Sequence, residues 1–291
     1  MRIRLHVGAH RTGTTTLQRI LRENGPFLRK HRVQALTCWG FGDRSEIGLR
    51  AVTRMVESAS QKRGFIDSLK LRRAKKELSR QIENEKTDVL VLSDENMLGL
   101  PFSFHDGFCV YPTCKRTLSS YAEILPEPPE RVHIAVRDYG SFLVSSYAMS
   151  AIYGKRTPEF SAIKDALLSL EKRWPDVLLD IEQAFPNAQV TYSIYEESSI
   201  DSVLHALLQP ETEISELTRS DVKLNRSPTL QAIAVGLKAN TKTQKDADRI
   251  VAAHASGEPF DPLSEPEKLR LREIYFSDLH ELERNAKKVA L

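Results

Sequence analysis

Apolar and polar residues alternate at the start of the chain, and the pattern then changes. Residues 2–7 carry apolar side chains at every second position, which is the period of a strand with one buried face. Gly8 and Gly13 interrupt this period, and from Thr14 the apolar residues recur at helical spacing. The pattern predicts a strand, a glycine turn and a helix over 14–23, with Thr12 or Thr14 as the N-cap.

Further along, short apolar runs alternate with amphipathic stretches of helical length. They predict strands at 87–92, 132–136 and 189–194, an irregular segment at 37–60, helices at 61–86, 114–124, 139–153 and 168–184, and an interrupted helical region from about 199 onward. Strands that alternate with helices favour a parallel sheet with helices on both faces. We therefore expect one α/β domain over residues 1–291 with a helical C-terminal part.

The composition is that of a folded globular chain. Its 291 residues, 41% hydrophobic and 28% charged, are enough for a sizeable core. The formal net charge of +3 permits an anionic ligand, but no Lys/Arg run is interleaved with aromatic residues as a nucleic-acid groove requires. Three cysteines are too sparse for a zinc site, and we expect reduced thiols. No apolar run suits a signal peptide or a membrane span, which predicts a cytoplasmic protein without a membrane or nucleic-acid partner.

The glycine turn at residues 8–16 reads G-A-H-R-T-G-T-T-T. A strand that feeds such a turn and then a helix aims backbone N–H groups and the helix dipole at one point, which is an anion site. A tight turn that uses glycine only for its dihedral angles is the alternative, and it leaves the threonine run unexplained. Gly8 and Gly13 have Walker A spacing, but Thr14 stands where that loop has Lys, so ATP or GTP hydrolysis is disfavoured.

The same string resembles the phosphosulfate-binding loop of sulfotransferases, usually written K-[ST]-G-T-T, with Arg11 in place of the usual Lys. The bacterial and heparan-type branches of this family commonly begin the loop with His or Pro. The resemblance implies a P-loop-type three-layer α/β sandwich with a central, mainly parallel sheet, and transfer of a sulfonyl group from 3′-phosphoadenosine 5′-phosphosulfate without a metal. Its implied cofactor-binding residues here are His10, Arg11, Thr12, Gly13, Thr14, Thr15 and Thr16.

The family also holds the 3′ phosphate of this cofactor with an Arg at a strand end and a Ser eight residues later. Here Arg137 follows the predicted strand at 132–136, and Ser145 lies eight residues on, with Ser146 as the choice if the register slips by one. An Arg can make a bidentate contact to a phosphate dianion. Pairing of Arg137 with Asp138 or another carboxylate is the alternative.

A third, shorter match is the N-x-S segment Asn225–Ser227, which in bacterial sulfotransferase-like proteins lies near the nucleotide. The resemblance implies that Asn225 and Ser227 contact the cofactor, although Ser227 as a helix N-cap explains the same residues equally well.

Sulfonyl transfer needs groups that neutralise the leaving phosphate and a base that takes the proton of the acceptor. Arg11 is expected to stabilise the developing charge. Glu95 is the first candidate base, because it follows the strand at 87–92 at the edge of the sheet where ligands bind; His105 and Asp106 come second. The alternative is that Asp94 caps a turn and Glu95 is solvated.

The acceptor stays open between a saccharide and a small metabolite, with a hydroxyl or an amine as the group that is modified. The basic helix at 61–86 suits an acidic saccharide and equally a solvated surface, and the aromatic loop at 99–113 suits a pocket wall and equally core packing. A P-loop kinase or nucleotide hydrolase with an aberrant loop, and a nucleotide-binding protein without activity, are the other functions considered.

Overall fold

The computed structural model describes residues 1–38, 49–60, 65–82, 87–101, 109–154, 157–219, 228–239, 243–284 and 288–290. The strands are β1 (Arg2–His6), β2 (Val33–Thr37), β3 (Val89–Ser93), β4 (Arg131–Val136), β5 (Gln189–Ile194) and β6 (Lys288–Ala290). The helices are α1 (Thr14–Glu23), α2 (Gly25–Lys30), α3 (Arg50–Ser60), α4 (Phe65–Gln81), α5 (Cys114–Ile124), α6 (Tyr139–Tyr153), α7 (Phe160–Leu167), α8 (Trp174–Ala184), α9 (Ile200–Leu208), α10 (Leu230–Lys238), α11 (Gln244–Ala253) and α12 (Glu265–Arg284). Short 3₁₀ turns lie at Glu95–Leu98 and Ile214–Glu216.

The six strands form one sheet in the order β2-β3-β1-β4-β5-β6, and every neighbouring pair is parallel. From β1 the chain crosses to β2 on one side, whereas from β4 it continues to β5 on the other side. The connections after β1 and β4 therefore diverge at the carboxyl edge of the sheet, although the two strands are neighbours. Such a switch point leaves a crevice, and ligands of open parallel sheets bind there.

Helices cover both faces of this sheet. Leu90 and Leu92 of β3 belong to the larger apolar core, which includes residues of α3, α5, α6 and α8. Val89 and Val91 point to the opposite face and pack with α1, α2 and α9. Because both faces are apolar and covered, β3 reads as a continuous hydrophobic run. The expected α/β fold with a parallel sheet is confirmed, and the arrangement is compatible with three layers.

Several element predictions are correct to the residue, and others are wrong. The helices predicted at 14–23, 114–124 and 139–153 are α1, α5 and α6. The segment at 37–60, predicted to be irregular, contains α3, and the strand β2 before it was not predicted. β2 (VQALT) carries a polar Gln and an Ala, so its apolar signal is weak; it forms a strand because β3 supplies a partner.

The predicted helix at 168–184 is also wrong in its first part. In the structure α7 ends at Leu167 and α8 begins at Trp174, and between them Leu170 adopts a left-handed conformation (φ 44°). Pro175 lies in the first turn of α8, where its missing N–H costs nothing and its ring disfavours a continuous helix through the preceding residues. The C-terminal part is helical as expected except for β6, which extends the sheet beside β5.

Candidate functional site

The turn after β1 has three residues with positive φ angles: Gly8 at 37°, Arg11 at 67° and Gly13 at 81°. A Cβ atom on Gly8 would lie 2.7 Å from Thr14 Oγ1 and 2.8 Å from His6 Cε1, so space as well as backbone conformation requires glycine. Gly13 is the N-cap of α1 and makes no side-chain cap, which shows that the prediction of a threonine N-cap is wrong.

Two of the loop threonines bind the loop itself. Thr12 Oγ1 donates to the carbonyl oxygen of Ala9 at 2.6 Å, and Thr14 Oγ1 reaches the same oxygen at 3.4 Å. α1 begins at Thr14, so the backbone N–H groups of its first turn and the positive end of the helix dipole lie beside the loop. The hydroxyl groups thus stabilise the turn, while the backbone donors and the dipole suit an anion.

The structure joins this loop to the segment after β4. Arg11 Nε donates to Ser145 Oγ at 2.8 Å, across 134 residues of sequence. Arg137 Nη1 donates to the carbonyl oxygen of Arg11 at 2.6 Å, which supports the left-handed backbone of that residue. Arg137 Nε donates to Ser141 Oγ at 2.9 Å. The predicted residues Arg11, Arg137 and Ser145 therefore lie together at the switch-point crevice between β1 and β4.

Ser141 is a residue of this group that the sequence analysis missed. It lies four residues after Arg137 and four before Ser145, so α6 presents both serines on one face. The spacing R-x-x-x-S-x-x-x-S was the available signal. Asp138, the alternative partner for Arg137, instead accepts the backbone N–H of Ser141 at 2.9 Å and caps α6.

The crevice concentrates positive charge. Burial lowers the pKa of both Arg11 and Arg137, and the charge of Arg137 lowers the pKa of Arg11 further. Both guanidinium groups stay charged at neutral pH. The group of Arg137 lies 4.7 Å from the centre of the Tyr195 ring, a cation–π contact. Two neighbouring cations in a partly buried site repel each other, and an anion bound between them relieves that repulsion.

A cavity of about 560 Å³ opens beside these residues. One wall is formed by Arg137, which follows β4, and by the face of α6 that carries Ser141 and Ser145; the other comes from residues 257–263 and the first turns of α12. Its remaining lining is largely apolar, and its charged residues are Asp138, Asp261, Lys268 and Arg272, of which Lys268 is paired with Asp261. Its volume is in the range of small-molecule and cofactor sites.

Two acidic residues follow β3 on the other side of the loop. Asp94 is fully buried; it accepts the hydroxyl of Thr53 and, at 2.9 Å and 2.7 Å, the backbone N–H and Nδ2 of Asn96. It caps the 3₁₀ turn, which confirms the alternative proposed for it. Burial raises the pKa of Asp94, and the neighbouring charge of Glu95 raises it further.

Glu95 is half-buried and held rather than solvated. Its Oε2 accepts from Gln18 Nε2 at 3.1 Å, and the same nitrogen donates to the carbonyl oxygen of Ser93 at 3.0 Å. Burial raises the pKa of Glu95, and the hydrogen bond from Gln18 lowers it. Gln18 lies on α1, so the carboxylate is fixed against the helix that follows the glycine turn.

The other predicted residues have mixed positions. His10 bonds through its backbone and its ring to Tyr111, and burial lowers its pKa to about 4, so its ring is neutral. Tyr111 is fully buried, which excludes it as an exposed wall of an acceptor pocket. The predictions for His105 and Asp106, and those for Asn225 and Ser227 as cofactor ligands, lie outside the described residues.

No protein-family model and no curated protein matches the chain. Among the described residues, no helix has the length and apolar character needed to cross a membrane, and no group of three or more His, Cys, Asp and Glu side chains is arranged to hold a metal ion. The proposal for the function below therefore rests on the geometry of the crevice.

Proposed function

We propose that the protein is a sulfotransferase of the P-loop type that moves the sulfonyl group of 3′-phosphoadenosine 5′-phosphosulfate to a hydroxyl or amine of an acceptor. The observation that carries this proposal is the contact of the two predicted anion-binding segments: Arg11 donates to Ser145, and Arg137 donates to the backbone of Arg11. Two anion sites at adjoining strand ends suit a nucleotide with negative groups at both its 5′ and 3′ positions.

The residues at the crevice fit this cofactor. The first-turn amides of α1 and Arg11 would bind the 5′ group, and Arg137 with Ser141 and Ser145 would bind the 3′ phosphate, since Arg pairs well with phosphate oxygens. The partly apolar cavity beside α6 has room for the nucleoside between them. The repulsion between Arg11 and Arg137 supports a dianionic ligand rather than a neutral one.

The chemistry follows from the same residues. The cofactor supplies a sulfonyl group on a phosphate leaving group. Arg11 and the N-terminus of α1 stabilise negative charge on the phosphate side. Glu95 follows the end of β3, and its carboxylate accepts a hydrogen bond from Gln18 of α1. Burial raises the pKa of Glu95. This carboxylate accepts the proton that the acceptor loses. Positioning and electrostatics provide the catalysis, as in phosphoryl transfer.

Calorimetric titration of the whole chain tests the two-phosphate site. We expect adenosine 3′,5′-bisphosphate to bind at least about thirtyfold tighter than AMP, because only the former offers a phosphate to Arg137. ATP and ADP, which extend the 5′ end instead, are expected to bind no better than AMP. Equal affinity for AMP and the bisphosphate would remove the 3′ site, and preference for ATP would favour a kinase or hydrolase.

The pH dependence of transfer tests how Glu95 is held. The base works when ionised, so activity falls as pH drops through its pKa. The hydrogen bond from Gln18 favours the ionised form. In Gln18→Leu this bond is lost, the pKa of Glu95 rises, and the acidic limb of the kcat profile is expected to move to higher pH. An unchanged limb, measured with the same acceptor, would show that Glu95 does not set it.

A further inference from the structure

Tyr111 is a buried anchor beside the phosphate loop. Its ring is fully buried and contacts Phe142 and Trp174, with ring centres 6.0 Å and 6.2 Å away. Its backbone has a φ of 51°, a left-handed conformation that a bulky residue rarely adopts. The backbone is held on both sides: its N–H donates to Pro101 O at 3.0 Å, and its carbonyl oxygen accepts from Lys172 Nζ at 3.2 Å. The ring is thus fixed to α6 and α8.

The hydroxyl group of Tyr111 makes two hydrogen bonds to one residue of the loop. It lies 2.7 Å from the backbone nitrogen of His10 and 2.9 Å from Nδ1 of the same ring. The oxygen accepts the backbone N–H, so its single proton is available for Nδ1. When that proton is donated to Nδ1, the neutral His10 ring carries its own proton on Nε2. Burial raises the pKa of Tyr111 well above its usual range, so the hydroxyl stays protonated.

His10 also lies beside the capped turn after β3. Burial lowers the pKa of His10, and the charge of Asp94 and the side chain of Asn96 act in the opposite direction. Asn96 Nδ2 donates to Asp94 Oδ1 at 2.7 Å, and Asp94 in turn accepts the hydroxyl of Thr53 on α3. The hydrogen bonds that hold the residue before Arg11 are therefore the two to Tyr111.

We propose that Tyr111 is a positioning residue, which holds the phosphate loop in its anion-binding conformation through His10 and thereby sets the affinity of the loop for anions. This proposal rests on the anion-binding function assigned to the loop above. Arg11 has a left-handed backbone, which is a costly conformation for a residue other than glycine. If the loop adopts this conformation only when the anion binds, the free energy of ordering the loop is subtracted from the binding free energy, and the affinity is lower. Without the hydroxyl, the backbone N–H and Nδ1 of His10 both lose their hydrogen-bond partner, and the loop loses its link to the ring packed on α6 and α8.

The test uses Tyr111→Phe, which removes the hydroxyl and keeps the ring. The matched control is Tyr139→Phe: the Tyr139 hydroxyl also accepts a backbone N–H, from Trp174 at 2.7 Å, and donates to a side chain, Asp278 at 2.6 Å, without touching the loop. Both variants lose one hydrogen bond from a backbone N–H and one to a side chain, and the bond to the Asp278 carboxylate is the stronger of the side-chain bonds, so a general loss of stability affects the control at least as much. Melting temperature, titration with adenosine 3′,5′-bisphosphate and with inorganic sulfate, and the ¹⁵N shifts of the His10 ring are measured for each.

We expect Tyr111→Phe to weaken the binding of both anions about tenfold. For Tyr139→Phe we expect both affinities to stay within about twofold of those of the wild-type protein. In Tyr111→Phe alone, the His10 ring is expected to lose its single Nε2–H tautomer and its amide to exchange faster. Unchanged affinity in Tyr111→Phe overturns the proposal, whether or not the tautomer changes, and so does equal weakening in both variants.

A second variant covers poor folding of the first. His10→Gln keeps the backbone N–H bond to Tyr111 and removes only the ring contacts, so we expect the affinity for both anions to fall by about threefold or less. If the affinity falls further than in Tyr111→Phe, the His10 ring and not the Tyr111 hydroxyl sets the affinity of the loop. If the wild-type protein binds inorganic sulfate but not the bisphosphate, the sulfotransferase proposal fails. The titrations with sulfate then still decide whether Tyr111 sets the affinity of the loop. Binding of neither anion overturns both.

Discussion

Replacing Arg137 with alanine is expected to weaken the binding of adenosine 3′,5′-bisphosphate about a hundredfold, because a charged hydrogen-bond partner of a phosphate dianion is lost. AMP has no group for the 3′ site, but Arg137 also supports the Arg11 carbonyl oxygen at 2.6 Å. We therefore expect the affinity for AMP to fall about threefold as well, because the loop loses the support that Arg137 gives to it. The ratio of the two affinities, measured by calorimetry, separates direct contact from indirect support.

The matched control is Arg131→Ala, at the other end of the same strand. Arg131 starts β4, where its side chain binds Gln189 and the carbonyl oxygen of Ala206. The variant removes the same charge from the same strand, so it is expected to leave both affinities within about twofold at physiological salt. Arg137→Lys keeps the charge but loses the planar fork and should recover only part of the affinity. A hundredfold loss for both ligands in Arg137→Ala would mean that Arg137 acts only as a support of the loop.

Replacing Glu95 with glutamine is expected to lower the rate of sulfonyl transfer by about 10²- to 10⁴-fold, the range of a lost general base. Glutamine has nearly the same shape, and its amide oxygen can still accept from Gln18 Nε2, which lies 3.1 Å from Glu95 Oε2. Affinity for adenosine 3′,5′-bisphosphate is therefore expected to stay within about twofold. The measurement is transfer of labelled sulfonyl to an acceptor found by screening, with binding measured in parallel.

Glu57→Gln is the comparison for this variant. Glu57 lies on α3, and burial, with the charge of Asp94 as a second cause, raises its pKa to about 7. A carboxyl group with this pKa is a plausible base by titration alone, but it follows no sheet strand at the carboxyl edge. We expect transfer by Glu57→Gln to stay within about threefold of the unchanged chain. Loss of transfer in Glu57→Gln together with full activity in Glu95→Gln would move the base to Glu57. If neither variant loses transfer activity, neither carboxylate is the general base.

Local patterns were sufficient for the elements that build the site. The glycine turn after β1, the buried run of β3 and the strand before Arg137 all have signals within a few residues, because backbone dihedrals and one-sided or two-sided burial act locally. The helices α1, α5 and α6 were predicted at their observed bounds for the same reason. The residues Arg11, Arg137 and Ser145 were also predicted from the sequence, on a resemblance to two separate segments of one family; the structure brings them together, and their role as cofactor ligands stays a prediction.

Where the pattern was weak, the prediction failed for a physical reason. β2 and β6 are the two edge strands of the sheet, and their short sequences become strands because the neighbouring strands β3 and β5 offer hydrogen bonds. Leu170 breaks the helix predicted across it with a left-handed backbone that its type does not signal.

The tertiary structure alone decided how these parts act together. Strand order brings the ends of β1 and β4 side by side, so that Arg11 donates to Ser145 and Arg137 pairs with Ser141 rather than with Asp138. Tyr111, read from the sequence as a pocket wall or core residue, binds His10 from a distance of 101 positions. Such contacts depend on which strands are neighbours and on which side chains share a buried space. Sequence spacing cannot encode either, since both are set by packing of the whole chain.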